Sequence, residues 1–208
     1  VRIEDGLELE PNRWGQVEIP GCGRDDLPQF FADRGYKVGV EIGVYKGVFT
    51  RQFCEAGLKV YGVDPWKVYG DYHSHRKQAR QDFLYEHAMR YLKDYDCTII
   101  RKTSMEAVED FEDGSIDWVY IDGNHQLRYV IEDIVEWSKK VRTGGVVSGH
   151  DYAETVNNPH SANVLQAKYA VDAYVRAYRI RPWFILGRRR APKGEYRDKW
   201  RSWMWLKP

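Results

Sequence analysis

The chain has 208 residues, 43% of them hydrophobic, enough for the core of one large α/β domain and too many for wholesale disorder. Its 32 Lys and Arg nearly cancel its 31 Asp and Glu, and a net charge of +1 gives no global attraction to nucleic acid or an anionic membrane; such a partner would need a local patch. No apolar run reaches the roughly 18 residues of a membrane-spanning helix, and the opening VRIEDGLELE has no basic stretch followed by an apolar one. Three scattered cysteines, Cys22, Cys54 and Cys97, fit the reduced thiols of a cytoplasmic protein and no disulfide framework.

Residues 1–36 are polar, punctuated by Gly and Pro, and read as an extension carrying one short helix from Asp25 to Arg34, capped by Asp25 or Asp26 and ended by Gly35. The remaining residues, 37–208, read as a single domain. KVGVEI (37–42) is its first strand, followed by a helix over 47–56 closed by Gly57 and a second strand over 59–63. Ala79, Phe83, Leu84, Ala88, Tyr91 and Leu92 recur at helical spacing and predict a helix over 75–93. A strand over 97–101 and a short helix over 104–110 come next, then a strand over 117–121 and an amphipathic helix over 127–141, with Val130, Ile134, Trp137 and Val141 on one face. Thr143-Gly144-Gly145 ends that helix before a strand of three, 146–148. Val171, Tyr174, Val175 and Tyr178 mark a further helix, and WFIL (183–186) and WMWL (203–206) are the closing strands.

Strand–helix alternation with crossovers of this length demands a parallel sheet, while the closing pair, joined by a long polar loop, is free to be antiparallel. The expectation is therefore a doubly wound, mostly parallel α/β sheet of seven strands with one antiparallel strand near the C-terminus and helices on both faces. Ligands of such sheets bind beyond the carboxyl ends of the strands, which makes the residues after each strand the ones to read.

After the first strand, in EIGVYKG, Gly43 permits a sharp turn and Gly47 a close helix start whose free N–H groups suit an anion; a plain tight turn explains the same glycines. A full dinucleotide fingerprint is missing, since Tyr45 takes the middle glycine's place. After the second strand, Asp64 in GVDPW is placed to accept from both hydroxyls of a ribose, or to cap the turn before Pro65; Trp66 suits an adenine face or a sheet edge. After the third, the Ser104 hydroxyl, or the backbone beside it, can meet an adenine edge or cap the short helix. YIDGNH and SGHDY, after the fourth and fifth strands, bring Asp122, His125, His150 and Asp151 to adjacent strand ends. Their oxygen donors suit Mg²⁺ and the added imidazole admits Mn²⁺, Fe²⁺ or Zn²⁺; a hydrogen-bonding His125 and a salt-bridged His150–Asp151 pair are the alternatives.

Taken together, VEIGVYKG (40–47), VYGVDPW (60–66), DWVYIDGNH (117–125) and GGVVSGHDY (144–152) resemble the class I S-adenosylmethionine-dependent methyltransferases, more narrowly methyltransferase family 24 and the metal-dependent catechol- and macrocin-type O-methyltransferases. The resemblance implies a Rossmann-like fold. It places Glu41, Gly43 and Gly47 at the methionine end of the cofactor, Asp64 at its ribose, and Ser104 and Met105 at its adenine, with Asp122 bordering the same pocket. It also implies Mg²⁺ or Mn²⁺ held by Asp122, His150 and Asp151, with His150 standing where relatives carry an acid, and His125 in the place of their catalytic base. The activity it implies is methylation of a hydroxyl on a small molecule, a sugar or natural product, with S-adenosylhomocysteine as co-product.

Residues 69–75 read as a loop or a lid and 154–163 as a loop or a gate. The basic stretch of Arg188–Arg190, Lys193, Arg197, Lys199 and Arg201 reads as a solvated edge or as a phosphate- or RNA-binding surface. An RNA methyltransferase and a non-catalytic cofactor-binding scaffold are the competing functions. The oligomeric state is open, a homo-oligomer included.

Overall fold

The computed structural model describes residues 2–68, 77–154, 164–190, 192–195, 198 and 200–208. The expected loops over 69–75 and 155–163, and Arg197 and Lys199 of the basic stretch, lie outside them. Five strands alternate with helices: β2 (Val38–Ile42), α3 (Val48–Glu55), β3 (Lys59–Val63), α4 (Gln78–Tyr91), β4 (Cys97–Ile100), α5 (Ser104–Ala107) with a 3-10 turn over Val108–Asp110, β5 (Ile116–Ile121), α6 (Leu127–Lys140) and β6 (Val141–Gly149). Then come α7 (Ala167–Ala177), β7 (Trp183–Leu186) and β8 (Trp203–Leu206). Before all of these stand α1 (Ile3–Leu7), β1 (Gln16–Ile19), a 3-10 turn over Arg24–Asp26, and α2 (Leu27–Asp33).

One sheet holds eight strands in the order β1-β7-β8-β6-β5-β2-β3-β4. All are parallel except β8, which runs antiparallel to both β6 and β7 and joins them. The eighth strand beyond the seven expected is β1. Four residues between Gly15 and Pro20 carry too little periodicity to read as a strand, and its partner β7 lies far along the chain, with Gln16 opposite Trp183. Strand β6 is also longer than expected, because Val141 pairs with Ile116 across an irregularity in the β5–β6 register and draws the expected Thr143–Gly145 turn into the strand.

Each strand alternates its side chains between two cores. On one face Val40, Val119, Val147, Ile185, Trp203 and Trp205 pack against the apolar stripes of α6 and α7. On the other, Ile19, Val60, Trp118, Phe184 and Met204 pack against Phe30, Phe31 and Phe53 from α2 and α3. A smaller cluster of Val44, Trp66, Leu84, Ala88 and Leu92 seats α4. Phe83, expected on that helix's apolar stripe, is 59% exposed. Among the described residues no helix is long and apolar enough to cross a membrane.

Candidate active site

The loops after β2, β3, β4 and β5 surround a cavity of about 510 Å³ at the carboxyl edge of the sheet. Gly43, at the end of β2, has φ +96°, and a Cβ there would lie 2.2 Å from the Asp122 carbonyl oxygen, so only glycine lets these two loops cross. The backbone locks the crossing further: Gly43 N–H donates to the Val63 carbonyl (2.8 Å) and Asp122 N–H to that of Ile42 (2.8 Å).

Asp64, after β3, lines the cavity and accepts from the backbone N–H of Tyr45 (Oδ2, 2.9 Å) and of Trp66 (Oδ1, 2.9 Å). Both partners are non-glycine residues with positive φ, +52° and +41°, so one carboxylate holds two strained turns in place. Burial pushes the Asp64 pKa up, against the lowering effect of those N–H groups. A carboxylate offers about four lone-pair sites, so capacity remains for a ligand. The turn-capping reading of Asp64 is thus realised, in a residue that also lines the cavity.

Three residues expected at the ligand lie behind the wall instead. The Trp66 side chain is buried with Leu84 and Leu92, edge-on to Tyr85, and its indole N–H donates to the Tyr45 carbonyl (3.0 Å). An adenine cannot reach its face there. Gly47 starts α3 with φ +81° beneath Leu92, whose side chain a Cβ would strike at 2.7 Å. Glu41 is buried beside Thr50, whose hydroxyl it accepts, and desolvation pushes its pKa up to about 8.

Ser104 and Met105 line the cavity as expected. Their helix, α5, opens on a reciprocal cap between Thr103 and Glu106. The Ser104 hydroxyl accepts from the Trp137 indole N–H (2.7 Å) and donates to Asp133 of α6. Sequence reading passed over Asp133, a carboxyl buried in the cavity wall and pushed up to about 7 by desolvation. Its signal was present: an acid one position before Ile134 and four before Trp137, on the helix face expected to be apolar.

The four acid and imidazole residues converge beside the cavity, where Asp122 and His125 line it. His125 Nδ1 lies 3.2 Å from Asp151 Oδ2. His150 is buried with Nδ1 3.8 Å from Asp122 and 3.6 Å from Asp151, and Nε2 3.3 Å from Asp198. Burial opposes its charge, but hydrogen bonds to Asp151 and Asp198, with the charge of Asp122, raise its pKa to about 9. Desolvation raises Asp122 to about 6, opposed by His150, His125 and Arg24. Arg24, from the 3-10 turn before α2, reaches Asp122 at 3.6 Å. Neither Arg24 nor Asp198 was expected at the site, since each arrives from a loop with no motif around it.

One ligand atom each from Asp122, His125 and Asp151 lie within 4.8 Å of one another. Two carboxylates and an imidazole suit a divalent cation, so the residues fit one. The expected metal set used His150 in place of His125. His150 lies among three carboxylates, those of Asp122, Asp151 and Asp198, which favour its protonated form.

A family model described as "Methyltransferase domain", methyltransferase family 24, matches residues 40–152. The uncharacterized protein y4gI of Sinorhizobium fredii is 31% identical over 124 residues, 54% of this chain and 13% of that one, so the chain spans about an eighth of this relative's length. Among solved structures, the O-methyltransferase TomG of Streptomyces achromogenes, in complex with S-adenosylmethionine, superposes with a TM-score of 0.61 at 10% identity over 89% of this chain and 79% of that one. A Bacillus cereus O-methyltransferase in complex with S-adenosylhomocysteine gives 0.56 at 16% identity over 88% and 80%. A Burkholderia thailandensis 1,6-didemethyltoxoflavin-N1-methyltransferase gives 0.55 at 12% over 88% and 78%. These structures share the fold, and the matched segment holds Gly43, Asp64, Asp122, His125 and Asp151: the chain belongs to methyltransferase family 24, among the class I S-adenosylmethionine-dependent methyltransferases.

Proposed function

We propose that the chain methylates a hydroxyl group of a small molecule, with His125 as the general base. The observation that carries this is the His125 Nδ1 contact with Asp151, 3.2 Å, His125 itself lining the same cavity as Asp64. With Nδ1–H donated to the carboxylate, the lone pair of the imidazole sits on Nε2, available to the acceptor's proton.

S-adenosylmethionine, when bound, supplies a methyl group already activated by its sulfonium. What remains for the chain is binding, orientation and one proton. Asp64 accepts from the ribose hydroxyls, Gly43 lets the backbone approach the methionine end, and Met105 and Ser104 border the adenine. Asp133, at that end of the cavity, accepts a hydrogen bond from the exocyclic amine. Glu41, Gly47 and Trp66 hold these loops from behind. Asp122 and Asp151 would hold a divalent cation through their oxygens, and such an ion lowers the pKa of a bound hydroxyl. His125 also lies within reach of those two carboxylates, and a role as third ligand is the alternative that the test separates from that of base. Free thiols at Cys22, Cys54 and Cys97 support a cytoplasmic setting.

The test is calorimetric titration of metal-stripped protein with S-adenosylhomocysteine, with and without Mg²⁺ or Mn²⁺. One-site binding is expected, weakened about tenfold or more in Asp64→Asn, in line with loss of charge-assisted hydrogen bonds. An acceptor screen with the active preparation then compares His125→Ala with chelation. Turnover lost in His125→Ala with its Mg²⁺ or Mn²⁺ affinity unchanged assigns the base; loss of that metal affinity in the variant assigns a ligand. No binding by folded protein would overturn the proposal.

A further inference from the structure

A second cavity, of about 260 Å³, lies away from the methyl-transfer site, where α7 crosses the β1–β7 edge of the sheet. Strand alternation turns Gln16 and Glu18 of β1 toward it, since Val17 and Ile19 are buried on the opposite face. Four cations reach this cavity. Lys168 is paired with Asp172 (2.8 Å) and Arg201 with Glu18, so the two carboxylates of its wall are already committed. The other two are Arg176, whose guanidinium lies 5.2 Å over the Trp14 ring, and Arg189, from the basic run after β7. Neither has a carboxylate partner among the described residues. The cavity therefore carries two uncompensated positive charges.

A third donor waits in the same wall. The Trp183 indole N–H is buried and has no hydrogen-bond partner among the described residues. A buried donor left without a partner is costly, and a ligand oxygen is one remedy. Tyr152, tilted against Trp183 with ring centroids 5.7 Å apart, and Trp14 add flat apolar surface around these donors. Two guanidinium forks and an N–H are suited to the several acceptor oxygens of a phosphate. A volume of about 260 Å³ suits a small molecule and not a polynucleotide track. We propose that this cavity binds a small phosphate monoester through Arg176, Arg189 and Trp183, at a site distinct from the one that performs methyl transfer. The basic run after β7, left between solvated edge and phosphate-binding surface by the sequence, thereby acquires a specific target.

The proposal does not depend on methyl transfer, and its test uses no methyl donor. Phenyl phosphate is titrated into ¹⁵N-labelled full chain while indole N–H resonances are followed, that of Trp183 being assigned from Trp183→Phe. Saturable binding that shifts this resonance is expected. The doubly substituted Arg176→Gln/Arg189→Gln protein should bind at least about tenfold more weakly, with unchanged melting temperature and S-adenosylhomocysteine affinity. A still resonance at millimolar phenyl phosphate, or undiminished affinity in the double variant, would overturn the site. Equal affinity for benzoate would overturn the choice of phosphate. Binding of a uridine oligonucleotide with a steep salt slope, undisturbed by phenyl phosphate, would assign the patch to RNA and overturn the small-molecule reading.

Discussion

A carboxyl group sealed in a ligand cavity with no cation beside it is costly to ionise, and Asp133 is in that position among the described residues. Its pKa of about 7 lies above the ordinary 3.8, so the folded state holds a proton that the unfolded state has released between those values. Stability from this group is therefore full below pH about 4 and is lost as pH rises toward 7, by up to about 1.4 kcal/mol per unit. Asp133→Asn should flatten that part of a urea-midpoint profile. The proposed bond from the adenine amine favours the carboxylate, so S-adenosylhomocysteine affinity should rise through neutral pH in the parent protein and stay level in the variant. The parent should also prefer the adenine ligand over its hypoxanthine analogue by about tenfold, a preference the Asn side chain would reduce. Equal discrimination by both proteins would remove Asp133 from adenine recognition. Asp64 and Asp122 were legible as lining residues because they follow strands directly, and Ser104 because it opens the helix after β4. Asp133 was not, because helix periodicity treats an acid on an apolar face as noise until a cavity is seen beside it.

The crossing of two loops at Gly43 has a similar economy at the level of elements. Gly43→Ala places a methyl group against the Asp122 backbone at a φ that L-residues rarely adopt, so the β2 and β5 loops must part. A loss of about 2 kcal/mol or more is expected in denaturant unfolding, with ligand binding lost as well. The parallel strands were readable because each is a short apolar run followed by helical periodicity. Strand β1 was not, since what makes Gln16–Ile19 a strand is β7, contributed from far along the chain. Ile19 is fully buried and packs on Gly6 of α1, where a Cβ would meet it at 2.4 Å. Ile19→Ala should therefore cost about 2–4 kcal/mol in a single cooperative transition. A separate early transition, with the main one unchanged, would show that the first two elements fold apart from the rest. The engagement of His150 by Asp198 was equally hidden, because Asp198 comes from the loop before β8.

At the scale of the whole molecule, the methyl-transfer site and the second cavity divide the sheet between them, one at the ends of the central strands and one over the β1–β7 edge. Between them runs β8, bonded on both sides, with Val146 opposite Leu206 and Phe184 opposite Met204. A chain ending before Trp203 would present two unpaired strand edges and the apolar partners of Trp203, Trp205 and Met204 to solvent. Such a truncation is expected to aggregate on expression, measured as loss of soluble protein, where one ending after Leu206 stays soluble. The order of synthesis gives this arrangement a further meaning. On the ribosome, the other seven strands of this sheet emerge before β8, and its two flanks must wait side by side, unjoined, until β8 is made. Nascent chains of this protein are thus candidates for chaperone capture in the interval before β8 appears, with the seam closing only once Trp203–Leu206 is free of the exit tunnel.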